Sequence, residues 1–166
     1  HAGLGDWTAN RDRLPEGIAG IAEKINKLGM KFGLWFEPEM VNRDSDLFRR
    51  HPDWILAAPG RHPSQGRFQY VLDFSRKEVV DCIYGMMADI LSHAKVSYVK
   101  WDMNRSITEC YSAALPPDRQ GEVYHRYILG VYDLYERLTS RFPEVLFESC
   151  ASGGGRFDPG MLYYAP

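Results

Sequence analysis

Apolar residues recur every three or four positions along several stretches of the chain, and this spacing predicts amphipathic helices. The stretches are 14–29, 76–93 and 119–141, with a shorter helix over 44–51. Pro15 suits a first helical turn and Gly29 suits the position after a last one. Ser75 and Glu78 have the spacing of a capping box, which predicts that a helix begins beside them.

Short apolar runs lie between these helices and predict four strands. They are "KFGLWFE" at 31–37, "FQYVLDF" at 68–74, "VSYVKWD" at 96–102 and "EVLFES" at 144–149. Strands that alternate with helices favour a parallel sheet with right-handed crossovers. Polar side chains collect at the carboxyl ends of the strands, namely Glu37, Glu39, Asp73, Asp102, Glu148 and Cys150. This arrangement is typical of a (β/α)8 barrel, with a doubly wound sheet as the alternative.

The length of the chain limits how much of a barrel it can form. A complete barrel needs about 250 residues, whereas this chain has 166 and does not begin with Met. We therefore expect an α/β fold in which residues 1–166 are part of one (β/α)8 catalytic barrel. The rest of that barrel would belong to a longer protein.

Composition and charge exclude several classes of protein. The chain is 45% hydrophobic and 25% charged, which is typical of a globular domain. The net charge of −2 and the pI near 6.2 argue against nucleic acid or an anionic membrane as partner. Cys82, Cys110 and Cys150 are far apart and form no CxxC pair, which suits a reducing compartment. Since the chain opens without a signal peptide, we expect a cytoplasmic protein.

The stretch "VKWDMNR" is the strongest candidate for chemistry. On a strand, Lys100 and Asp102 point to one face and Trp101 to the other, and charges are rarely buried unless they are paired or used. A nearby cation would lower the pKa of Asp102 and keep it ionised. Such a carboxylate could attack an electrophilic carbon or stabilise a cationic transition state, as glycoside hydrolysis requires. A structural Lys–Asp pair is the alternative.

The stretch "GLWFEPEM" is a second candidate site. The flat ring of Trp35 suits the apolar face of a sugar, and Glu37 and Glu39 could hold hydroxyl groups or Mg²⁺. A core tryptophan beside loop-capping glutamates is the alternative. Arg67, before the strand at 68–74, could bind a ligand oxygen through its fork or serve as a surface ion-pair partner.

The stretch "ESCASGGGRFD" ends the last predicted strand in small residues. Its glycines would let backbone N–H groups approach a ligand closely, although a lone glycine loop is weak evidence for phosphate binding. Cys150 as a nucleophile would need a histidine base, and none lies nearby in the sequence. Asp158 is interpreted as a loop residue.

With "WFEPEM", "VKWDMNR" and "ESCASGGGRFD" present in this order, the chain resembles glycoside hydrolase family 36, the bacterial α-galactosidases. The resemblance implies a (β/α)8 catalytic barrel that removes terminal α-1,6-linked galactose from melibiose- and raffinose-type sugars with retention. Asp102 matches the nucleophile of the family motif. The substrate-binding residues implied by the resemblance are Trp35, Arg67, Lys100, Asn104, Cys150 and Gly153.

The resemblance also implies what this chain would lack. The family's acid/base Asp lies on the following strand, and two galactose-binding aspartates lie on a preceding one. We therefore expect residues 1–166 to be inactive alone, and the longer protein to be a homo-oligomer that needs no metal or cofactor. The alternatives are an α-N-acetylgalactosaminidase, a galactosyl-transferring relative or, in a different class, an aldolase that uses Lys100 as its Schiff base.

Overall fold

The computed structural model describes residues 2–152 and 155–166, which form an α/β fold with a parallel sheet. His1, Gly153 and Gly154 lie outside the described residues. The elements in chain order are α1 (Gly17–Lys27), β1 (Gly33–Phe36), β2 (Met40–Asn42), α2 (Asp46–Arg50), β3 (Gln69–Val71), α3 (Lys77–His93), β4 (Tyr98–Trp101), a 3-10 helix (Pro117–Glu122), α4 (Val123–Arg141), β5 (Leu146–Ser149) and α5 (Pro159–Tyr164).

The central sheet consists of β1, β4 and β5, which lie side by side in that order and run parallel. Trp35, Lys100 and Glu148 are directly opposite one another across the three strands, so they share one face. The carboxyl ends of the strands therefore meet at one edge, where the residues that follow each strand come together. Asp102 follows β4 at this edge.

The other face of the sheet carries the hydrophobic core. Phe36, Val99, Trp101 and Phe147 are all buried on it. The ring of Trp101 stacks on Tyr135 of α4 with centroids 3.9 Å apart, and helix α3 packs beside α4. This packing fixes the direction in which β4 ends, and with it the position of the residue after Trp101.

One predicted strand does not belong to the parallel sheet. Within 68–74 only Gln69–Val71 is a strand, and it pairs antiparallel with β2 in a separate two-stranded sheet. The prediction of four parallel strands is therefore wrong at this point, and three are present among the described residues. The cause is the chain just after β1, where Met40–Asn42 forms a strand and takes β3 as its partner. An apolar run shows that a strand is buried but not which strand it pairs with.

The predicted helices are confirmed as α1 to α4, with somewhat shorter ends. The capping box at the start of α3 is wrong. The helix has Arg76 at its N-cap without a side-chain cap, because the Ser75 hydroxyl donates to Asp73 instead. Glu78 accepts a hydrogen bond from Arg76 Nε at 2.8 Å. Among the described residues, no helix is both long and apolar enough to cross a membrane.

Candidate active site

Asp102 lies directly after β4 and is 7% exposed. Its Oδ2 accepts hydrogen bonds from Asn104 Nδ2 at 2.6 Å and from Trp35 Nε1 at 3.1 Å. Its Oδ1 accepts from the backbone N–H of Met103 at 3.0 Å, and the Cys150 thiol lies close enough to help lower the pKa of the carboxyl. Donors from β1 and from the residues after β4 therefore converge on one carboxylate, beside Cys150 at the end of β5.

These hydrogen bonds determine the charge of Asp102. Burial raises the pKa of the carboxyl, but the bonds from Trp35, Asn104, Cys150 and Met103 together outweigh burial and hold the pKa below its ordinary value. Hydrogen bonds to the charged form favour ionisation. Asp102 is therefore an oriented carboxylate that remains ionised near neutral pH.

Lys100 has a different partner from the one that the sequence predicted. Its Nζ lies 3.2 Å from Glu148 Oε1, and both side chains are 41% exposed. The pair lies on the open face of the sheet, in register with Trp35. Hydrogen bonds, rather than the Lys100 ammonium, thus account for the lowered pKa of Asp102.

Asn104 is held in place from two sides. Its backbone N–H donates to Glu37 Oε1 at 2.9 Å, and its Oδ1 accepts from Ser152 Oγ at 3.2 Å. Glu37 is fully buried, and its Oε2 accepts from Gln69 Nε2 at 2.8 Å. Glu37 therefore supports the backbone after Asp102, and its interpretation as a ligand for hydroxyl groups or Mg²⁺ is wrong.

Glu39 is also fully buried and used within the protein. Its two oxygens accept a bidentate pair of hydrogen bonds from Arg156 Nη1 and Nη2, each at 2.7 Å. Trp101 Nε1 donates to Oε1 at 2.8 Å, and the Tyr127 hydroxyl donates to Oε2. Burial, followed by the charge of Glu39, raises the pKa of Tyr127 well above its usual value, so that this hydroxyl keeps its proton. Glu39 is thus no more available to a ligand than Glu37.

The other predicted site residues lie in different settings. Trp35 is 39% exposed beside Asp102. Arg67 is exposed at the first central position of a tight turn, where it has φ 57° and Phe68 has φ 62°. Within the described residues, the Arg67 side chain makes no hydrogen bond. The strand that follows this turn begins at Gln69, which contacts Glu37, and Gly153 lies outside the described residues.

Two further carboxylates serve local structure. Asp158 caps α5 by accepting from the backbone N–H of Met161 at 3.0 Å, and it accepts from the Tyr132 hydroxyl at 2.7 Å. This confirms that it is a loop residue and not a partner of Asp102. Asp73 is fully buried and accepts from the hydroxyls of Ser75 and Ser112. Among the described residues, no group of three or more His, Cys, Asp or Glu side chains could hold a metal ion.

Local sequence patterns did not indicate that Arg156, Ser152, Gln69 and Tyr127 belong to this arrangement. Only one signal pointed to any of them. A buried-looking strand that ends in two acidic residues needs a cationic or donor partner somewhere in the chain. Nothing in the sequence says which of its 20 Lys and Arg residues supplies that partner.

Comparisons with known proteins agree on one family. The model of the family described as Melibiase matches residues 1–166. The chain is 58% identical over 163 residues to α-galactosidase AgaA of Geobacillus stearothermophilus, a match that covers 98% of this chain and 22% of the relative. It is 50% identical over 166 residues to α-galactosidase Mel36A of Lactobacillus acidophilus, covering 100% of this chain and 23% of the relative. The chain thus spans less than a quarter of the length of these curated relatives.

Solved structures give the same result. The α-galactosidase of Lactobacillus brevis superposes with a TM-score of 0.96 at 56% identity, covering 99% of this chain and 22% of that one. A second match is a variant of the GH36 α-galactosidase AgaA of Geobacillus stearothermophilus in complex with raffinose. It superposes with a TM-score of 0.96 at 57% identity, and the match covers 99% of this chain and 23% of that one. The architecture described above is therefore shared with a segment of these enzymes.

Proposed function

The chain belongs to the melibiase family, and from this membership we propose that residues 1–166 are part of the catalytic (β/α)8 barrel of a longer, retaining α-galactosidase. The solved relatives include complexes with raffinose and stachyose. We infer a substrate of the same kind, with a terminal α-1,6-linked galactose. The observation that carries the proposal is the ionised Asp102 carboxylate, oriented by donors from β1 and from the residues after β4.

In this proposal Asp102 is the nucleophile. One of its oxygens forms a bond to the anomeric carbon of galactose while the glycosidic C–O bond breaks, which gives a covalent glycosyl-enzyme. The departing oxygen takes a proton from a carboxylic acid that we assign to the protein outside residues 1–166. Water, deprotonated by that same carboxyl group, then attacks the anomeric carbon and releases galactose with its original configuration.

The open face of the sheet supplies the proposed sugar contacts. Trp35 offers an exposed ring beside Asp102, and the Lys100–Glu148 pair lies next to it in register. We propose that Lys100 and Asn104 hold sugar hydroxyls and that Cys150 lies near the C2 hydroxyl. A thiol at this position favours a free hydroxyl over an acetamido group, and hence galactosides over N-acetylgalactosaminides.

The proposal is tested by trapping the covalent intermediate. We expect 5-fluoro-α-galactosyl fluoride to inactivate the full-length enzyme and to attach one galactosyl group to the peptide that contains Asp102, because fluorine slows hydrolysis of the intermediate more than its formation. Peptide mass spectrometry identifies the labelled residue. Asp158, which lies on another peptide, is the internal control and should stay unlabelled. Borohydride reduction with a carbonyl substrate that labelled Lys100 would favour the aldolase instead.

The hydrogen bond from Trp35 predicts a specific pH dependence. The lowered pKa of Asp102 means that the nucleophile stays ionised, and activity persists, as the pH falls below the usual carboxyl range. Replacing Trp35 by Phe removes an N–H that favours the charged form. We expect the acid limb of the pH profile of kcat/KM to move to higher pH, as measured with an aryl α-galactoside.

Trp7 provides the matched control for this change. Its ring lies 6.2 Å from that of Trp35, between centroids, but its buried Nε1 has no hydrogen-bond partner within the described residues. Trp7→Phe should therefore leave the acid limb where it is in the wild type. An equal shift in both variants would mean that loss of aromatic packing, and not loss of the hydrogen bond to Asp102, moves the profile.

A further inference from the structure

Glu39 contacts three segments of the chain, one of which, β4, ends directly before Asp102. An ionised carboxylate can accept about four hydrogen bonds, and Glu39 accepts four: one from Trp101 of β4, one from Tyr127 of α4 and two from Arg156. Glu39 is 0% exposed, and the Arg156 side chain is 12% exposed. The pair is therefore almost entirely desolvated and is satisfied on the carboxylate side.

Two of these segments, those of Trp101 and Arg156, also supply part of the site. Trp101 is the residue immediately before Asp102. Arg156 ends the segment that begins at Cys150, which helps to lower the pKa of Asp102, and includes Ser152, which donates to Asn104. The backbone N–H of Gly155, next to Arg156, donates to the carbonyl of Ala151, between Cys150 and Ser152, at 2.7 Å.

We propose that Arg156 is a positioning residue for the reaction at Asp102, because its two-pronged contact with Glu39 holds the segment after β5 against the nucleophile. The proposal rests on the proposed function of Asp102. The guanidinium is planar and presents its donors in a fixed fork, so the bidentate contact defines both the place and the orientation of the Arg156 end of the segment. The other end is fixed by β5, whose last residues pair with β4.

A buried ion pair contributes little net stability compared with an apolar pair of similar size. The bidentate contact of Arg156 is therefore better explained by the residues that it positions than by a gain in stability. With Cys150 and Ser152 held in place, Asn104 has its amide oxygen engaged and its Nδ2 directed at Asp102. Release of the segment would remove the Ser152 hydrogen bond and leave the Asn104 side chain free to rotate.

The test uses Arg156→Lys, which keeps the charge but removes the fork. Displacement of a supporting group by about 1 Å can lower a rate by about 100-fold. We expect kcat of the full-length enzyme for p-nitrophenyl α-galactoside to fall by about 10- to 100-fold, with a much smaller change in KM. Titration with the fluorinated inhibitor normalises each rate to the fraction of folded sites.

Arg76→Lys is the matched control. The Arg76 side chain is 13% exposed, close to the 12% of Arg156, and it pairs with Asp53 and Glu78. Neither carboxylate contacts a residue of the site within the described residues. We expect Arg76→Lys to lower the melting temperature while kcat stays at the wild-type value.

Hydrogen exchange gives a second readout that does not depend on activity. The backbone amides of Cys150 and Gly155 are hydrogen-bonded in the wild type. They should exchange faster in Arg156→Lys, whereas their exchange rates in Arg76→Lys should equal those of the wild type. A wild-type kcat in Arg156→Lys, or equal losses in both variants, would overturn the positioning role. An inactive wild-type enzyme would overturn the proposed function instead, while faster exchange in Arg156→Lys alone would still support the contact as the holder of this segment.

Discussion

Replacing Asp102 by Asn is expected to lower kcat for p-nitrophenyl α-galactoside by about 10⁴-fold or more. The amide has nearly the shape of the carboxylate but cannot form the glycosyl-enzyme bond. The single amide oxygen can still accept from Trp35 or Asn104, so the surrounding elements should keep their positions. The measurement is steady-state hydrolysis by the full-length enzyme, with circular dichroism and the melting temperature recorded for each variant.

Asp158→Asn is the control for this change. It is the same substitution at the cap of α5, where the carboxylate accepts from Met161 and Tyr132. Because Asn caps a helix about as well as Asp, it should change stability little and leave kcat intact. Azide should restore turnover to Asp102→Gly and give the β-galactosyl azide, because azide attacks from the side that Asp102 occupied. Substantial activity in Asp102→Asn would show that the carboxylate is structural, and the sugar contacts proposed around it would have to be abandoned too.

Local sequence patterns predicted the helices well because a helix depends on residues three and four apart. The stripe in 119–141 and the one in 76–93 both became helices that pack against each other. The strand at 68–74 shows the limit of such patterns. Gln69–Val71 is fully buried, as a strand of a parallel sheet would be, but its partner is the antiparallel β2. Pairing is decided by residues far apart in the sequence, so periodicity cannot reveal it.

The same distinction applies to the site. The sequence pattern placed Asp102 at a strand end, and the family resemblance implied Trp35 and Asn104, whose side chains both donate to it. The pattern paired Lys100 with Asp102 because the two share a face, whereas the cross-strand neighbour Glu148 lies closer to the ammonium. Contacts between neighbouring strands follow from the register of the sheet, which local sequence patterns do not specify.

The contact of Arg156 with Glu39 is even harder to predict from local sequence patterns. It is 117 residues from Glu39 along the chain, and it follows a glycine-rich stretch of the sequence. The motif around Cys150 drew attention to this stretch as a ligand loop, but not to the arginine that ends it. Desolvation is the physical quantity that links the two residues, because a carboxylate that is 0% exposed requires a counter-charge.

Glu39→Leu is expected to lower the free energy of unfolding by about 3 to 5 kcal/mol, because it leaves the guanidinium of Arg156 buried without a counter-charge. The hydroxyl of Tyr127 and the indole N–H of Trp101 lose their acceptor as well. Urea denaturation of the full-length protein measures the change. Glu78→Leu, which removes an exposed partner of Arg76, is the control and should cost no more than about 1 kcal/mol.

The double variant Glu39→Leu, Arg156→Met separates stability from positioning. Removing the unpaired cation should restore the part of the stability that the unpaired charge cost, since apolar groups of similar size can replace a buried ion pair at little cost, while Tyr127 and Trp101 still lack their acceptor. Its kcat should nevertheless stay low, because nothing then fixes the segment that carries Cys150 and Ser152. If the double variant regained both stability and wild-type kcat, the Glu39–Arg156 contact would be a structural pair that the reaction does not need. If it regained neither, the unpaired charge would not be the cause of the instability.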